Sequence, residues 1–440
     1  MYPATFRLSL IVEVSLVSSV LGGLHTVRYG FSDNGEYCVR ARMASSADST
    51  ARIQLFKYDA TARRFTGVCG THLPYWNLPL HLLISSDGRY VVALGKDRVV
   101  GDDLQDEIWI WDTACNRTQS IDLRSIFSEE ELKRHAVQIP MVTGIHWFAD
   151  EWADRLPPVF DDRRGVLYVT AGINDRALAS GYMERAVKRY TTKRPTIVID
   201  LRAMSAHLVD TRRVSLWKER YDREVLKDRL LEQLLRGPLL SRASLRYLRV
   251  QRLVVQSLRS PSVEMRAVVE PSLETQTLDE PFLFRLEPGD GHTPASILVL
   301  KYSADDNAIV LVREFETDNP IAPCDWQASR DGKYIVTLDD IGRIGTTPNT
   351  LVIYRVRDGK KKRFALQDFL EDKVIEKLRL SEHFVEWRDG IWNMEDVGAE
   401  DHTIAINRYA LSHLPKVFVS LDKMQITVQH VGERGTPARE

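Results

Sequence analysis

One motif occurs three times in this chain of 440 residues and constrains its fold more than any other feature. Each copy reads Ser, any residue, Asp or Asn, and Gly, and continues with Tyr and Val at two alternate positions. The copies begin at Ser32, Ser85 and Ser329. Because Asp or Asn bonds to its own backbone and Gly accepts positive φ, each copy predicts a tight turn that leads into a strand.

A second strand follows each motif at a nearly constant distance. From the Val of each copy it is 20, 20 and 19 residues to Asp59, Asp112 and Arg355, which end the segments IQLFKYD, IWIWD and LVIYR. The first two copies begin 53 residues apart, and one propeller blade takes ~40 to 50 residues. The spacing therefore predicts antiparallel sheets built from repeated units.

These turns and strands resemble WD-type and Tol-type β-propeller repeats, over residues 27–112 and 323–364. The resemblance implies an all-β propeller of about five to seven four-stranded blades. In that family the strand before the turn is the innermost one. The resemblance therefore implies that Arg28, His81 and Asp325 occupy equivalent places beside a channel.

Other stretches follow the pattern less closely. A further blade is predicted from strands near 143–148, 165–170 and 196–201, interrupted by loops, and another from three strands between Phe282 and Phe315. A short helical piece is predicted at 366–380, followed by strands near HFVEW, TIAI, KVFVSL and QITVQHV.

The hydrophobic period changes to that of a helix between 202 and 278. Leucines recur at helical spacing before Gly237 and Pro238: Leu226, Leu230, Leu231, Leu234 and Leu235. From Thr211 to Ser260 there are 13 Lys or Arg against 5 Asp or Glu, and one helix face would present Arg242, Arg246, Arg249 and Arg252. We predict an α-helical, basic insertion that divides the propeller into 25–201 and 279–431.

The two ends of the chain allow separate predictions. Residues 1–24 are either a secretory signal, with an apolar run from Leu8 to Leu24, or a first strand, because polar and apolar residues alternate. Export to the periplasm or outside is therefore as compatible with this segment as a cytoplasmic location. The tail 432–440 is polar and predicted to be disordered.

Composition excludes several classes of protein. With 60 basic and 61 acidic residues the formal charge is -1, so no global attraction to nucleic acid is predicted. No run beyond the first 24 residues reaches the ~20 apolar residues of a transmembrane helix. The four cysteines lie far apart without a CxxC pair. We therefore predict no cofactor and no metal, and we leave cysteine pairing and oligomeric state open.

Standard catalytic motifs such as G-x-S-x-G, H-E-x-x-H and the P-loop are absent, so no catalytic residue is assigned. Polar residues on the implied inner strands form the best ligand-binding candidate: Arg28, His81, His146, Asp325 and Glu386. Such groups can bind an anion or transfer protons, or they can simply bond adjacent blades and channel water.

Aromatic and basic residues suggest surfaces for a partner. Trp76 and Trp152 fall on predicted loops, where an exposed aromatic side chain can anchor a ligand, whereas Trp109 and Trp111 fit burial between blades. The arginines of the insertion are either a solvated helix face or a contact for acidic surfaces.

We therefore predict a non-enzymatic binding or scaffold protein that recognises a protein through loops at one end of the ring. One alternative is a propeller-type hydrolase or lyase that uses the channel residues. Another is a peripheral binder of acidic surfaces that uses the basic insertion.

Overall fold

The computed structural model describes residues 27–44, 49–96, 106–135, 137–138, 145–147, 158–172, 195–210, 262–268, 280–329, 331–341, 343–385, 387–388, 392–393, 403–406 and 415–429. The chain divides into two compact units, Met1–Leu239 with Ser272–Leu278, and Leu240–Pro271 with Asp279–Glu440.

In the first unit, consecutive strands pair antiparallel in three groups of four. The first group is β1 (Val27–Phe31), β2 (Tyr37–Arg42), β3 (Arg52–Asp59) and β4 (Arg64–His72). The second is β5 (Pro79–Ile84), β6 (Tyr90–Lys96), β7 (Ile108–Asp112) and β8 (Arg117–Ile121). After a helix (Glu129–His135) and the pair β9 (Val137–Gln138) and β10 (Ile145–His146), the third is β11 (Val159–Asp161), β12 (Val166–Thr170), β13 (Pro195–Asp200) and β14 (Ser205–Asp210).

The second unit repeats this arrangement. The fourth group is β15 (Glu264–Val268), β16 (Phe282–Glu287), β17 (Ser296–Ser303) and β18 (Ala308–Glu316), and the fifth is β19 (Pro323–Ala328), β20 (Tyr334–Asp340), β21 (Leu351–Arg355) and β22 (Lys361–Phe364). A helix (Asp372–Leu378) and the pair β23 (Arg379–Ser381) and β24 (Phe384–Val385) precede the sixth group: β25 (Trp392–Asn393), β26 (Thr403–Ile406), β27 (Lys416–Ser420) and β28 (Gln425–Gln429).

The three predicted turns adopt one structure. In the second copy, Ser85 Oγ donates to Asp87 Oδ1 at 2.6 Å, the Tyr90 amide donates to Ser85 Oγ at 2.9 Å, and Gly88 has φ of 71°. The copies at Ser32 and Ser329 repeat these bonds. A side chain on Gly88 would enter the ring of Tyr37 in the preceding group, so close packing as well as positive φ requires glycine there.

Burial on both faces explains why the second strands are uniformly apolar. Val91 and Ala93 pack with the first group, whereas Val92 and Leu94 pack with the third. In the second unit, Ile335 likewise faces the fourth group and Val336 the sixth. A strand between two sheets has no solvent face and therefore needs no polar alternation. Trp109 and Trp111 are 2% and 0% exposed in the first of these layers, as predicted.

The all-β prediction is confirmed in its coarse form, as sequential four-stranded antiparallel groups. Within the loop predicted after Phe148, β11 forms because Phe160 and its neighbours pair with β12. β10 pairs with β9 and not with the third group. Two strands, β14 and β15, lie inside the range 202–278 assigned to the insertion. Residues 211–261 lie outside the described residues, and so do 1–24 and 432–440, so the helical insertion stays a prediction.

No helix in the described part of the chain is long and apolar enough to cross a membrane.

Candidate functional site

The first strands of three groups place Arg28, His81 and Asp325 at equivalent register positions. Each pairs with the residue two positions after the motif Val, and these partners are Ala41, Leu94 and Leu338. The equivalence that the repeat predicted is therefore present in the ladders. All three candidate side chains are half-buried.

In the first unit, β1 and β5 approach each other closely. Arg28 Nη1 donates to the carbonyl oxygen of Leu80. A Cβ on Gly30 would collide with the carbonyl of Leu82, so this contact between two backbones requires glycine. Arg28 thus already serves to join the first strands of neighbouring groups.

In the second unit, a tryptophan lies between two charged side chains of the neighbouring group. The Trp326 indole N–H donates to Glu264 Oε2 at 2.8 Å, and the Arg266 guanidinium lies 4.5 Å from the ring centroid. Asp325 Oδ1 accepts from the backbone amide of Trp326 at 2.9 Å. Because successive side chains of a strand point to opposite faces, Asp325 lies on the other face of β19 from the Trp326 contacts with Glu264 and Arg266.

A buried ion pair lies close enough to Asp325 to interact with its charge. Arg388 Nε donates to Asp339 Oδ2 at 2.8 Å, and the two side chains are 2% and 0% exposed. Asp339 Oδ1 also accepts from the Gly345 amide at 2.8 Å and the Trp387 indole at 3.2 Å. Asp339 has φ of 55°, a conformation that Asp tolerates better than most residues. Three donors thus occupy this carboxylate.

Burial and the mutual attraction of the two charges act in opposite directions on the pKa values of Asp339 and Arg388. Burial raises the pKa of Asp339, and the Arg388 ion and the bonds from Gly345 and Trp387 oppose that rise. Burial would lower the pKa of Arg388, but the carboxylates of Asp339 and Asp325 raise it above its ordinary value. The guanidinium therefore stays charged between two acids. Its Nη1 is buried and lacks a hydrogen-bond partner among the described residues.

Asp340, the residue after Asp339, is surrounded by further polar side chains. Burial raises the pKa of Asp340, although hydrogen bonds from Asn319, Thr347 and Asn349 act to lower it. The Cys324 thiol donates to the Asp340 carbonyl oxygen at 2.9 Å, and burial raises the pKa of this thiol. A thiol held protonated is a poor nucleophile, so Cys324 is not an activated cysteine.

This arrangement leaves little reactive acid. Asp339 accepts from three internal donors and is fully buried, whereas Asp325 is a half-buried carboxylate of β19. Among the described residues, no group of three His, Cys, Asp or Glu could hold a metal ion.

The remaining predicted site residues are only partly described. His146 lies in β10, for which the backbone alone is described. Outside the described residues lie Glu386, Trp152, Arg242, Arg246, Arg249 and Arg252. The sequence analysis missed Asp339 and Arg388. The repeat carries one signal for Asp339, because it takes the place of Gly95, three residues after the motif Val, and both have positive φ.

Trp76 lies on a loop that is held at several points. The Leu73 amide donates to Ala51 O and the Ala51 amide to Tyr75 O, both at 2.8 Å, and the Ala44 amide donates to Trp76 O at 3.1 Å. Leu73 and Leu78 are each 1% exposed, whereas Trp76 is 53% exposed. The indole is thus presented to solvent by a fixed backbone.

Neither a protein-family model nor a curated protein matches this sequence. Among solved structures, a protein from Lactobacillus plantarum is 10% identical with a TM-score of 0.24, over 91% of this chain and 83% of that chain. Oligogalacturonate lyase from Vibrio parahaemolyticus is 9% identical with a TM-score of 0.24, over 92% and 89%. The WD40 domain of SCAP from fission yeast is 10% identical with a TM-score of 0.23, over 81% and 54%. Similarity at this level says nothing about activity.

Proposed function

We propose that this protein is a non-enzymatic, propeller-like binding protein whose loop Leu73–Leu78 recognises a protein partner. The observation that supports this proposal is the 53% exposure of Trp76 on a loop whose flanking Leu73 and Leu78 are buried. Large aromatic side chains dominate binding energy at protein interfaces, and a preordered backbone lowers the entropic cost of association.

Burial of the neighbouring residues adds to this proposal. Asn77 is 6% exposed, and Tyr75 is half-buried with Lys96 Nζ 5.9 Å from its ring centroid. Burial, with the nearby Glu107 and Asp106 carboxylates, raises the pKa of the Tyr75 phenol, which therefore stays neutral. A partner would therefore contact one exposed indole, carried by a loop whose neighbouring side chains are buried.

A random peptide display library selected on the immobilised chain tests the proposal. We expect enriched peptides whose affinity falls by roughly tenfold or more with Trp76→Ala, the size of a hot-spot loss. Val312→Ala is the matched control, because Val312 is also a large exposed apolar side chain, at 49%. Peptides that bind wild type and Trp76→Ala equally would contradict the proposal.

The hydrolase or lyase alternative is favoured by one observation, the half-buried Asp325 carboxylate at the register position that Arg28 and His81 take in their own groups. A carboxylate can act as a general acid or base. Turnover in a screen of ester, lactone and uronate substrates that is lost in Asp325→Asn, with Asp305→Asn as control, would favour this alternative.

A further inference from the structure

The outermost strand of the fifth group differs in charge from the other outer strands. β22 has the sequence KKRF, with three cations in four residues. The outer strands of the second, third and sixth groups, RTQSI, SAHLVD and QITVQ, contain one Lys or Arg between them. The positive charge is therefore a feature of this strand and not of outer strands in general.

The hairpin that leads into β22 extends the positive charge. From Arg355 to Arg363 the chain has six Lys or Arg and a single acid, Asp358. Arg355 forms two bonds with Asp358, at 2.9 and 2.6 Å, and Lys360 lies 3.8 Å from it. Val356 within this stretch and Phe364 directly after it are the apolar side chains, and both are buried.

One face of β22 is held in place by a single carboxylate. Lys361 Nζ and Arg363 lie 3.0 and 2.5 Å from Asp318 Oδ2. On the other face, Lys362 Nζ lies 5.1 Å from the ring centroid of Phe364. The positive charges are thus ordered along the strand, and two of them share one acid.

The ladder leaves main-chain groups on the open side of β22. The Arg355 amide donates to Lys360 O at 2.8 Å, and Ile353 pairs with Lys362 in the same register. Because bonded residues alternate along an antiparallel ladder, the N–H and C=O groups of Lys361 and Arg363 face away from β21. β22 is the last strand of its sheet in the described structure.

We propose that β22 is a docking edge for an acidic, extended peptide segment of a partner protein, which adds to the sheet as a further strand. An open edge pairs with an incoming strand through main-chain hydrogen bonds. Glutamate or aspartate side chains of that strand would lie opposite Lys361, Lys362 and Arg363, and opposite charges across a ladder are stabilising. A second copy of β22 would place like charges opposite each other and is disfavoured.

The edge favours a peptide over nucleic acid. The sugar-phosphate backbone of DNA supplies acceptors but no donors for the outward carbonyls of Lys361 and Arg363, whereas a peptide supplies both. The site is independent of the Trp76 loop, so either proposal can fail alone.

Fluorescence anisotropy with the full chain tests the proposal, using a fluorescein-labelled peptide of alternating Glu and Thr as the probe. We expect saturable binding that weakens about tenfold or more in Lys360→Glu/Lys362→Glu, since two charges are reversed. The matched control is Gln425→Glu/Thr427→Glu on the outer strand β28. Circular dichroism establishes that each variant keeps its strand content.

Two further probes separate strand addition from simple charge attraction. The same Glu-Thr peptide with every backbone amide N-methylated keeps its charge but has no N–H group to donate, so we expect its binding to be lost. Equal binding of the N-methylated peptide, or tighter binding of oligo-dT than of the Glu-Thr peptide, would overturn the proposal. Unchanged affinity in Lys360→Glu/Lys362→Glu would overturn the assignment to β22.

Discussion

Two regions take the same position in the repeat, three residues after the motif Val, but differ in the acid that binds a buried indole. We call them the first corner, Gly95 with Glu107 and Trp147, and the second corner, Asp339 with Trp387 and Arg388. In the first unit Gly95 has φ of 66°, its amide donates to Glu107 O, and the Trp147 indole donates to Glu107 Oε2 at 2.8 Å. In the second unit Asp339 takes the glycine position, its amide donates to Thr350 O, and its own carboxylate accepts from Trp387.

The comparison shows that both copies of the repeat provide an acceptor for a buried indole N–H, although different residues supply it. Both tryptophans are 0% exposed, so each buried indole N–H needs an acceptor. Glu107 supplies it from the position just before β7, without a positive φ. Asp339 supplies it from a left-handed residue, and there Arg388 neutralises the buried charge. The second corner therefore holds its indole acceptor next to the buried cation of Arg388.

Removing that cation is the change with the largest expected effect. Arg388→Met leaves the Asp339 carboxylate buried and uncompensated, which costs about 3 to 5 kcal/mol of unfolding free energy. Urea denaturation measures the loss. As the control, Arg355→Met removes a cation from the surface pair with Asp358 and is expected to cost much less, because solvent screens an exposed ion pair. Equal losses in the two variants would contradict the importance assigned to the buried pair.

Removing both charges sharpens the same comparison. Asp339→Asn/Arg388→Met is expected to be more stable than Arg388→Met alone, because no uncompensated ion remains in the interior. If the double variant is less stable than the single one, the destabilisation comes from lost packing of the arginine side chain and not from the charge of Asp339.

The glycine of the first corner tests the role of backbone conformation. Gly95→Ala is expected to cost about 1 to 2 kcal/mol, because alanine is strained at positive φ and its Cβ would lie 2.8 Å from Leu80 Cδ1. Gly291→Ala, at φ of 89° with open space around it, isolates the conformational strain. A thermal or urea unfolding series compares the two, and a smaller loss at Gly95 than at Gly291 would contradict the predicted collision.

Two of the three motif tyrosines, Tyr90 and Tyr334, provide a smaller contrast. The Tyr334 hydroxyl donates to Asp422 Oδ1 at 2.6 Å, and burial and this acid raise the pKa of Tyr334 to about 12. The Tyr90 hydroxyl is buried without a partner among the described residues. Tyr334→Phe should therefore cost about 1 kcal/mol, whereas Tyr90→Phe should be nearly neutral. Urea unfolding measures both, and the reverse order would show that Tyr90 has an acceptor.

The smallest effect concerns the turn that begins the fifth group. Burial opposes ionisation of Asp331, but the Lys333 ion and the bond from Ser329 lower its pKa below the ordinary 3.8. A lowered folded pKa stabilises the fold above the unfolded pKa and loses that effect as pH falls through the folded value. The unfolding free energy of wild type should therefore exceed that of Asp331→Asn by about 1 kcal/mol near neutral pH, because the charged carboxylate makes a stronger hydrogen bond than the amide.

That advantage should shrink as the pH falls below 3.8. Urea unfolding at neutral and acidic pH measures it, with Asp305→Asn in an exposed turn as control. An advantage that stays constant across this range would show that hydrogen-bond geometry, and not the charge of Asp331, stabilises the turn.

Local chemistry was sufficient to predict much of the fold. The turns at Ser32, Ser85 and Ser329 follow from side chains two to five residues apart, and the strands that end at Asp59, Asp112 and Arg355 follow from runs of β-branched and aromatic residues. The resemblance to propeller repeats also implied the equivalence of Arg28, His81 and Asp325, which the ladders confirm in register. β11 was missed because a three-residue strand in a Pro- and Asp-rich stretch has little periodicity.

The amino-acid sequence by itself thus determined the repeated turn, the paired strands and the faces on which Tyr and Val lie, because these depend on neighbours in the chain. Only the tertiary structure decided which acids are buried. Asp339 and Arg388 are 49 residues apart, Glu107 and Trp147 are 40 apart, and each pair forms when separate strands are brought together. The same is true of Trp76, whose exposure depends on bonds between its loop and residues near Ala44 and Ala51. Sequence spacing cannot reveal such contacts, since burial and long-range pairing arise from the packing of whole sheets.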